Sequence, residues 1–535
     1  MRIAVIGAGV AGLTTAKVLL QAGHEVQVFD KTPDVGGVWS RTRRYPGLTT
    51  QSPKAQYSLS DYPMPKDYPE WPTGTQVQAY LAGYAAHFGL EPALRLDTEV
   101  TSASPDDEGR WVLTSRNASS DPSAETTALF DRLVVANGVF CEPSIPQFPG
   151  LEEFTAAGGR LLAGTELHDV EQARGKHVLV VGYGKSACDV TVPISKVAAT
   201  TDVIARQLLW KVPRKIGGFV NFKMLLLTRM GEALFRYVRL RGFEKFLHGP
   251  GNGVRRRMID SIGSVSVRQF GLAKLDLVPA GQMEDIVRGA IGLATEGFFE
   301  AVADGAITVH RDRTITRLLA RDGAPYAELS DGTTLLADLI VCATGFTQGV
   351  PFLPEDVERR LLDERGNFML YRQILPVDVP GLYFNGYNSS FFSPLNAEMA
   401  ALWITADLAA AVPRPEPAAL RQAVVDQLAF MDQATDTHHC RGTKIIPFSM
   451  HNVDEVLGDL GLTVNVMVRA SHWLNPINPA AYRAVTPALL ERLRLTQGAV
   501  GSHETVEASR SLSLSRTAMS EEGAVTGSGV DSFGA

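Results

Sequence analysis

The chain has 535 residues, of which 45% are hydrophobic and 20% are charged. This length predicts about three domains, and the composition is that of an ordinary globular protein, which excludes collagen-like, wholly disordered and disulfide-scaffold classes. The formal net charge of −7 comes from 51 basic and 58 acidic residues, so no overall positive charge is available for a nucleic acid backbone.

The cysteines and the first residues predict a cytoplasmic protein without a metal site. Cys141, Cys188, Cys342 and Cys440 form no C-x-x-C pair, which argues against a redox dithiol or a metal knuckle. An apolar strand begins at Ile3 and leaves no room for a signal peptide, and no run of about 18 apolar residues predicts a membrane-spanning helix. The composition leaves the oligomeric state open.

The first recognisable unit is a strand, a glycine turn, a helix and a second strand, ending at Asp30. Gly7, Gly9 and Gly12 form the pattern G-x-G-x-x-G between the strand and the helix. The glycines permit a tight turn, the approach of a pyrophosphate to the backbone and close helix packing, and the helix N-terminus offers amide donors. Asp30 can accept a hydrogen bond from a ribose hydroxyl, which favours FAD or NAD.

A second unit of the same kind follows Gly175. Its turn has the pattern G-x-G-x-x-A, and the residues expected to contact a nucleotide are Gly182, Gly184, Lys185, Ser186, Ala187 and, at the end of the next strand, Arg206. A guanidinium binds a ribose 2′-phosphate, which a carboxylate would repel, so this unit predicts an NADP site. Lys211 and Arg214 would add positive charge.

The two units together predict FAD and NADPH in one chain, and therefore flavin redox chemistry. The final electron acceptor stays open at this point: a disulfide, a quinone, another protein or oxygen. The lack of a C-x-x-C pair disfavours a disulfide.

Periodicity predicts the remaining elements. We expect an irregular loop from Lys31 to about Pro72, a helix over residues 76–88, hairpin strands over 99–115, strands over 130–138, 306–309, 336–346 and 381–387, and a long helix from about Asn396. After about Gly501 the sequence has no periodicity and predicts a disordered tail.

The composition changes between Lys211 and Asp260, where twelve Lys or Arg residues face three acidic residues and alternate with apolar side chains. This pattern predicts a basic, amphipathic helical insertion. It is compatible with a solvated subdomain over the active-site mouth and with peripheral contact to an anionic membrane.

Three further segments resemble the flavin-containing monooxygenase family, the class B flavoprotein monooxygenases, and the similarity extends over most of residues 1–480. The segments are GGVWS at 36–40, YPGLTTQSPKAQYSLSDYPMP at 45–65 and CATGF at 342–346. The resemblance implies cofactor contacts for Gly37, Val38, Trp39, Thr50, Thr344 and Gly345.

The family's fingerprint between the two nucleotide domains is only partly present. Gly164 and His168 match it, but Leu162 replaces Phe, and Gln172 replaces the aromatic residue, which is Trp in the related Baeyer–Villiger monooxygenases. Gln51 stands where many members carry Asn and keeps the carboxamide on a longer arm. The resemblance implies two catalytic candidates: His168 as a hinge or cofactor-positioning residue, and Gln51 as a hydrogen-bonding group beside the cofactors.

The motifs and the resemblance together predict an α/β fold with two Rossmann-like dinucleotide-binding domains, for FAD and NADP, and a helical insertion. The FAD domain would comprise residues 1–165 and 331–500, and the NADP domain residues 166–330 with the insertion at about 215–290. Residues 501–535 would form the tail.

The implied activity is NADPH-dependent oxygenation, in which a C4a-hydroperoxyflavin formed from O2 transfers one oxygen atom to nitrogen, sulfur or carbon of a small organic substrate. Such chemistry requires positioning and exclusion of water, and no acid–base triad. A Baeyer–Villiger oxygenase acting on a ketone is the close alternative. A membrane-associated NADPH-dependent flavin reductase and a binding protein without activity are more distant ones.

Overall fold

Two parallel five-stranded sheets form the centre of the structure. The computed structural model describes residues 1–118, 124–288, 292–436, 441, 444–445 and 449–496. In the first sheet the strands lie in the order Leu382–Phe384, Arg132–Val135, Arg2–Ile6, Glu25–Phe29 and Leu94–Arg95. Every neighbouring pair in this sheet is parallel.

The second sheet repeats the arrangement. Its strands lie in the order Thr308–Arg311, Thr200–Ala205, His177–Val181, Leu339–Cys342 and Arg160–Ala163, and all pairs are again parallel. Val178 and Val180 belong to an apolar cluster on one face of this sheet, whereas Leu179 belongs to a cluster on the other. Successive side chains of a strand point to opposite faces of the sheet. Both faces are buried here, which explains why Val178, Leu179 and Val180 are all apolar.

Two three-stranded antiparallel sheets lie in the chain between strands of the parallel sheets, one in each half of the protein. The antiparallel strands are Thr98–Pro105, Trp111–Asn117 and Glu125–Phe130 in the first case, and Ile315–Arg321, Ala324–Leu329 and Thr334–Leu336 in the second. The next strands, Arg132–Val135 and Leu339–Cys342, then pair directly with the strands that carry the two glycine turns. The two halves are therefore built on one plan.

Helices and short strand pairs complete the fold. Within residues 1–483, the α-helices are Val10–Gln21, Gly74–His87, Leu151–Ala156, Lys185–Ile194, Lys223–Leu226, Arg229–Ala233, Phe243–Leu247, Asn252–Gln269, Phe298–Ala303, Glu355–Leu361, Ser393–Leu408, Pro417–Thr435, Ser449–Asp459 and Val466–Ser471. The short pairs are Lys211–Val212 with Gly292–Leu293, Lys215–Ile216 with Val220–Asn221, Glu142–Pro143 with Phe346–Thr347, Leu370–Tyr371 with Leu375–Pro376 and Asn388–Ser389 with Lys444–Ile445. None of the helices in the described ranges is both long enough and apolar enough to cross a membrane.

Residues 1–483 form one compact unit, and the chain from Ala484 onwards belongs to a second, of which residues 485–496 are described and helical. The predicted fold class is confirmed by the two parallel sheets and the helices between residues 215 and 290.

The predicted domain boundaries remain a proposal, and the strand pairing adjusts them. The strand Arg160–Ala163 pairs with Leu339–Cys342 in the second sheet. This sheet therefore starts before residue 166 and continues past residue 330, and the return to the first sheet comes later than predicted. The predicted tail, residues 501–535, lies outside the described residues.

Candidate nucleotide-binding sites

The first glycine turn, Gly7–Gly12, leaves no room for larger side chains at two of its three glycines. Gly7 has a φ of +114°, and a Cβ there would lie 2.3 Å from the carbonyl oxygen of Ala136. A Cβ on Gly12 would lie 1.7 Å from the carbonyl oxygen of Gly7. The strand, the turn and the helix can therefore approach one another only with glycine at both positions.

The helix that follows this turn presents unpaired amides. Its N-cap is Gly9, and no side chain caps the helix Val10–Gln21. Asp30 stands beside the turn, because its carboxylate accepts hydrogen bonds from the amides of Ala8 at 2.6 Å and Thr32 at 2.8 Å. The first turn thus combines a helix N-terminus suited to a diphosphate with a carboxylate suited to a ribose.

A cavity of about 260 Å³ opens directly from this turn. Gly7, Gly9 and Asp30 line it, and its walls continue through residues 36–39, 136–142, 372–374 and 385–388 and Asn452. Trp39 is 7% exposed and forms part of the wall, where its indole N–H donates to the hydroxyl of Tyr57 at 3.1 Å. Burial raises the pKa of Tyr57 to about 12, so this hydroxyl stays protonated at neutral pH.

Carboxamides form another part of the cavity wall. Asn396 accepts hydrogen bonds from Asn452 at 2.8 Å and from Asn388 at 3.2 Å. Asn385 donates to the hydroxyl of Thr15 at 2.9 Å. The side-chain oxygens of Asn385 and Asn452 are buried and have no hydrogen-bond partner among the described residues. A bound molecule with N–H or O–H donors would satisfy them, since a buried acceptor without a partner is costly.

Asn137 connects two sides of the same cavity. Its amide donates to the carbonyl oxygen of Gly349 at 2.8 Å, and its oxygen accepts from the hydroxyl of Tyr387 at 2.8 Å. Burial raises the pKa of Tyr387 well above its ordinary value. The turn, the carboxylate beside it, the cavity and its unpaired amide oxygens together fit a flavin dinucleotide.

The second glycine turn, Gly182–Ala187, has the same construction. Gly182 has a φ of +125°, and a Cβ there would lie 2.6 Å from the carbonyl oxygen of Ala343. Gly184 is the N-cap of the helix Lys185–Ile194, which again has no side-chain cap. Each turn is thus backed by a carbonyl group from the residue after a neighbouring strand, Ala136 in one case and Ala343 in the other.

Four cations lie near the second turn and differ in how they are neutralised. Lys185 forms an ion pair with Asp189, and Arg214 forms one with Glu296 at 3.4 Å and also donates to the hydroxyl of Thr49 at 3.0 Å. Lys211 is 2% exposed, donates to the carbonyl oxygen of Tyr183 at 2.8 Å and has no carboxylate partner in the described part of the chain. Arg206 is exposed and has no ion-pair or hydrogen-bond partner there.

This distribution of charge fits NADP. A buried ammonium group without a counter-ion favours a nearby anion, and Lys211 bonds the backbone of the turn that would hold the pyrophosphate. Arg206 follows the second strand, where a ribose 2′-phosphate would need a cation, and its guanidinium is available.

A bridging segment, Tyr45–Ser52, extends from the loop after the first unit to the helix of the second turn. The hydroxyl of Tyr45 donates to Ser186 at 2.8 Å, and Gly47 packs so tightly on Asp189 that a Cβ would lie 2.2 Å from its carbonyl oxygen. At the other end, Ser52 donates to the carbonyl oxygen of Phe391 at 2.5 Å. The loop of the first sequence unit thus lies on the helix of the second.

Comparison with known proteins shows a similarity to one family in the first part of the chain. Residues 1–247 match the family model described as flavin-binding monooxygenase-like. This segment, which makes up less than half of the chain, is similar to the flavin-binding monooxygenase-like proteins. Dimethylaniline monooxygenase (N-oxide-forming) 4 of Mus musculus is 28% identical over 393 residues, which cover 70% of this chain and 63% of that protein. The chain therefore spans less than two thirds of the length of that relative.

Solved structures of oxygenases share the fold. The S-allyl-L-cysteine S-oxygenase of Allium sativum has a TM-score of 0.59 at 18% identity and covers 92% of this chain and 98% of its own. The NADP+-bound cyclohexanone monooxygenase of Rhodococcus sp. Phi1 has a TM-score of 0.62 at 18% identity and covers 86% and 97%. At these identities the likeness establishes a common architecture.

Several residues predicted for the site do not line the cavity. Gln51 accepts a hydrogen bond from the amide of Leu293 at 3.3 Å, and Thr50 is buried beside it with an unpaired hydroxyl. His168 is exposed in the loop after the short helix Gly164–Glu166 and makes no side-chain hydrogen bond in the described part. Catalytic roles for Gln51 and His168 therefore remain predictions.

Thr344 and Gly345 stand beside the second turn and away from the walls of the cavity. The hydroxyl of Thr344 donates to the carbonyl oxygen of Ser144, and the residue before it, Ala343, backs Gly182. The equivalent residues of the first half, Asn137 and Gly138, line the cavity. The sequence contains a signal for this pair that the prediction missed, because V-A-N-G at 135–138 parallels C-A-T-G at 342–345.

Proposed function

We propose that the chain is an FAD- and NADPH-dependent monooxygenase that transfers one oxygen atom from O2 to a small organic substrate. The observation that carries this proposal is the pair of similar glycine turns with different partners. Asp30 accepts a hydrogen bond from the first turn, whereas Lys211 donates one to the second, and Arg206 is exposed at the end of the strand that follows it. Two nucleotides of different charge in one unit are what such a reaction requires.

FAD would lie in the cavity that opens from the first turn. The unpaired amides after Gly9 would bind its diphosphate, Asp30 its ribose, and the Trp39 wall and the asparagine carboxamides its ring system. When bound, the flavin would supply the capacity to take up hydride from NADPH and to activate oxygen.

NADPH would lie at the second turn. The amides after Gly184 would hold its pyrophosphate, with the charge of Lys211 behind the turn, and Arg206 would hold its 2′-phosphate. The bridging segment Tyr45–Ser52 lies against this turn, so it would hold the nicotinamide end and keep water from the space between the nucleotides.

No side chain is required as a general base in this scheme. The phenols of Tyr57 and Tyr387 are kept protonated by burial, and the carboxamides of Asn385, Asn396 and Asn452 do not titrate. These groups would orient the bound flavin and keep water out of the cavity. Oxygen transfer from a flavin requires these two contributions from the protein.

Nitrogen or sulfur is the favoured acceptor atom. The mouse relative is named for N-oxide formation, and one protein of the same fold is named for S-oxygenation of a cysteine derivative. We therefore propose oxygenation of a soft heteroatom, or hydroxylation, as the reaction of this chain.

Baeyer–Villiger oxidation of a ketone is the second candidate, since the fold is shared with cyclohexanone monooxygenase. Gln172 disfavours it, because the related enzymes carry Trp at that point of the fingerprint. Product analysis with a sulfide and a ketone of similar size would separate the two.

The test is NADPH oxidation by the purified protein under ¹⁸O2 with a mixture of amines, sulfides and ketones, read by mass spectrometry. The proposal expects one ¹⁸O atom in a product for each NADPH consumed. Oxidation that yields only hydrogen peroxide with every compound, or electron transfer to a quinone without oxygen incorporation, would contradict it.

A further inference from the structure

Three charged side chains meet in the interior, beside the first cavity but outside its lining. Lys17 and Glu398 are each 2% exposed, and they lie on the helices Val10–Gln21 and Ser393–Leu408, which pack on one another. Lys17 forms an ion pair with Asp61. We call Lys17, Asp61 and Glu398 the buried triad.

Glu398 holds the chain segment that leads to Asp61. Its two carboxyl oxygens accept the backbone N–H of Ser60 at 2.9 and 3.1 Å, and one of them also accepts the hydroxyl of Ser60 at 2.9 Å. Ser60 is itself buried. These bonds fix the segment Tyr57–Asp61 to the helix Ser393–Leu408.

The charges of the buried triad do not balance when all three groups are ionised. One ammonium group neutralises one of the two carboxylates, and one oxygen of Asp61 is buried without a hydrogen-bond partner among the described residues. A buried charge without a counter-ion is costly, so the neutral form of Glu398 is favoured. Burial first, and then the charge of Asp61, raise the pKa of Glu398 to about 7, although Lys17 and Ser60 oppose the shift.

The other groups around Glu398 keep their charge near neutral pH. Burial raises the pKa values of Tyr80 and Tyr84, on the helix Gly74–His87, so both phenols stay protonated. The helix Ser449–Asp459 also packs on Ser393–Leu408, and its charged side chains are paired elsewhere: His451 with Glu232 and Glu244, Asp454 with Arg229, and Glu455 and Asp459 with Arg372. Glu398 is therefore the group of this cluster that changes charge near pH 7.

The buried triad is connected to the cavity wall on two sides. Tyr57, three residues before Ser60, accepts a hydrogen bond from the indole N–H of Trp39, and both rings line the cavity. Ala397, the residue before Glu398, also lines the cavity, and its carbonyl oxygen accepts the amide of Asn385 at 3.0 Å. A movement of Ser60 relative to Glu398 would thus shift the wall.

We propose that Glu398 is a positioning residue of the flavin cavity and that FAD binding is coupled to protonation of its carboxyl group. The inference rests on the proposed function, because it takes FAD as the occupant. With Glu398 neutral, the buried triad has no net charge and the segment Tyr57–Asp61 stays packed. With Glu398 ionised, the uncompensated charge loosens this segment. FAD adds two negative charges at the N-terminus of the helix that carries Lys17, so it binds the neutral form more tightly.

The dissociation constant of FAD, measured by flavin fluorescence from pH 6 to 8.5 at constant ionic strength, tests the proposal on the full chain. We expect a constant value up to about pH 6.5 and a rise of about fivefold by pH 8.5, because the advantage of the neutral form is lost as the pH passes the pKa of Glu398. Glu398→Gln keeps an acceptor for Ser60 but cannot ionise, so it should bind FAD equally well over the whole range. Glu398→Ala should bind FAD more weakly at every pH.

The matched control is Asp407→Asn, an acid-to-amide change on the same helix at a carboxylate that binds Arg414 and Tyr383. It should keep the wild-type pH profile. A second measurement needs no variant: calorimetry at pH 7.5 in two buffers of different ionisation enthalpy should show uptake of part of a proton for each FAD bound. A dissociation constant independent of pH, no proton uptake, or an unchanged profile in Glu398→Gln would overturn the proposal. Failure to bind FAD at any pH would instead overturn the proposed function on which it rests.

Discussion

Gly184 is glycine although the backbone around it does not require one. Its φ is −70°, and a Cβ there would meet no atom within 4 Å. Gly9, its equivalent in the first turn, has a φ of −78°, and a Cβ there would make only an ordinary 3.6 Å contact with Gly37. Both positions therefore leave space that the chain itself does not use, and a diphosphate approaching the helix N-terminus would use it.

Substituting Gly184→Ala should weaken NADP+ binding by about tenfold or more, because the added methyl group would stand where the pyrophosphate approaches. The midpoint of thermal unfolding should stay the same or rise, since no clash is introduced. Calorimetric titration with NADP+ measures the first effect. Gly253→Ala, also at an uncrowded position, is the control; an unchanged affinity in Gly184→Ala would contradict this assignment.

Arg206→Ala should raise the KM for NADPH by about tenfold to a hundredfold and leave the KM for NADH nearly unchanged. Only the 2′-phosphate loses a charge-assisted partner, and such bonds contribute about 1.5–3 kcal/mol. Steady-state kinetics with both coenzymes measure the difference, with Arg359→Ala as an exposed control. An equal effect on both coenzymes would exclude Arg206 as the specificity residue.

For single residues, the sequence predicts those that belong to a motif within a short stretch of the chain. The glycines of both turns and Asp30 could be identified because their spacing within one βαβ unit carries the signal. Asn385 and Asn452 could not, since they reach the first cavity from more than 350 residues away along the chain, and no local pattern marks them.

Among the elements, the helix Ser449–Asp459 is tied to the insertion by a charged side chain. His451 lies between Glu232 and Glu244 and stacks on the ring of Tyr237 at 4.3 Å. Burial alone would lower the pKa of His451, but the two carboxylates outweigh it and raise the pKa to about 9. The same helix supplies Asn452 to the cavity, so this contact fixes part of the cavity wall.

The free energy of unfolding should therefore fall as the pH rises from about 6.5 to about 9. A group whose pKa is raised in the folded state contributes its full stabilisation below the unfolded pKa and loses it above the folded one, here about 3 kcal/mol. Urea unfolding across this range measures the slope. His451→Gln should flatten it, and an unchanged slope in that variant would contradict a charged His451.

Element boundaries depended on capping that the periodicity does not show. The helix predicted over residues 76–88 begins at Gly74 because Thr73 and Gln76 form a reciprocal capping box. The helix predicted from about Asn396 begins three residues earlier, at Ser393, with Pro394 in its first turn. The basic insertion was predicted as helical, but periodicity did not reveal that residues 223–247 form three helices of four or five residues.

For the whole molecule, the first sheet joins residues far apart in sequence. Its strand Leu382–Phe384 pairs with Arg132–Val135, and the helix Ser393–Leu408 packs on Val10–Gln21 behind the first turn. The duplicated plan was visible in the two glycine motifs, whereas the late return of the chain to the first sheet was not, because strand order is set by long-range packing.

A chain that ends at residue 330 should not retain FAD. It keeps both glycine turns but lacks Leu339–Cys342 from the middle of the second sheet and Leu382–Phe384 from the first. Flavin absorbance of the purified fragment, compared with the full chain, measures this. A fragment that is soluble and carries one flavin per chain would show that the later residues are dispensable.

The central claim is that one chain holds two different nucleotides at two separate turns, and equilibrium binding of FAD and NADP+ to the same protein tests it most directly. We expect one FAD and one NADP+ per chain without competition, loss of FAD alone in Gly9→Ala, and loss of NADP+ alone in Gly184→Ala. Binding of a single nucleotide, displacement of FAD by NADP+, or loss of both in either variant would contradict the claim.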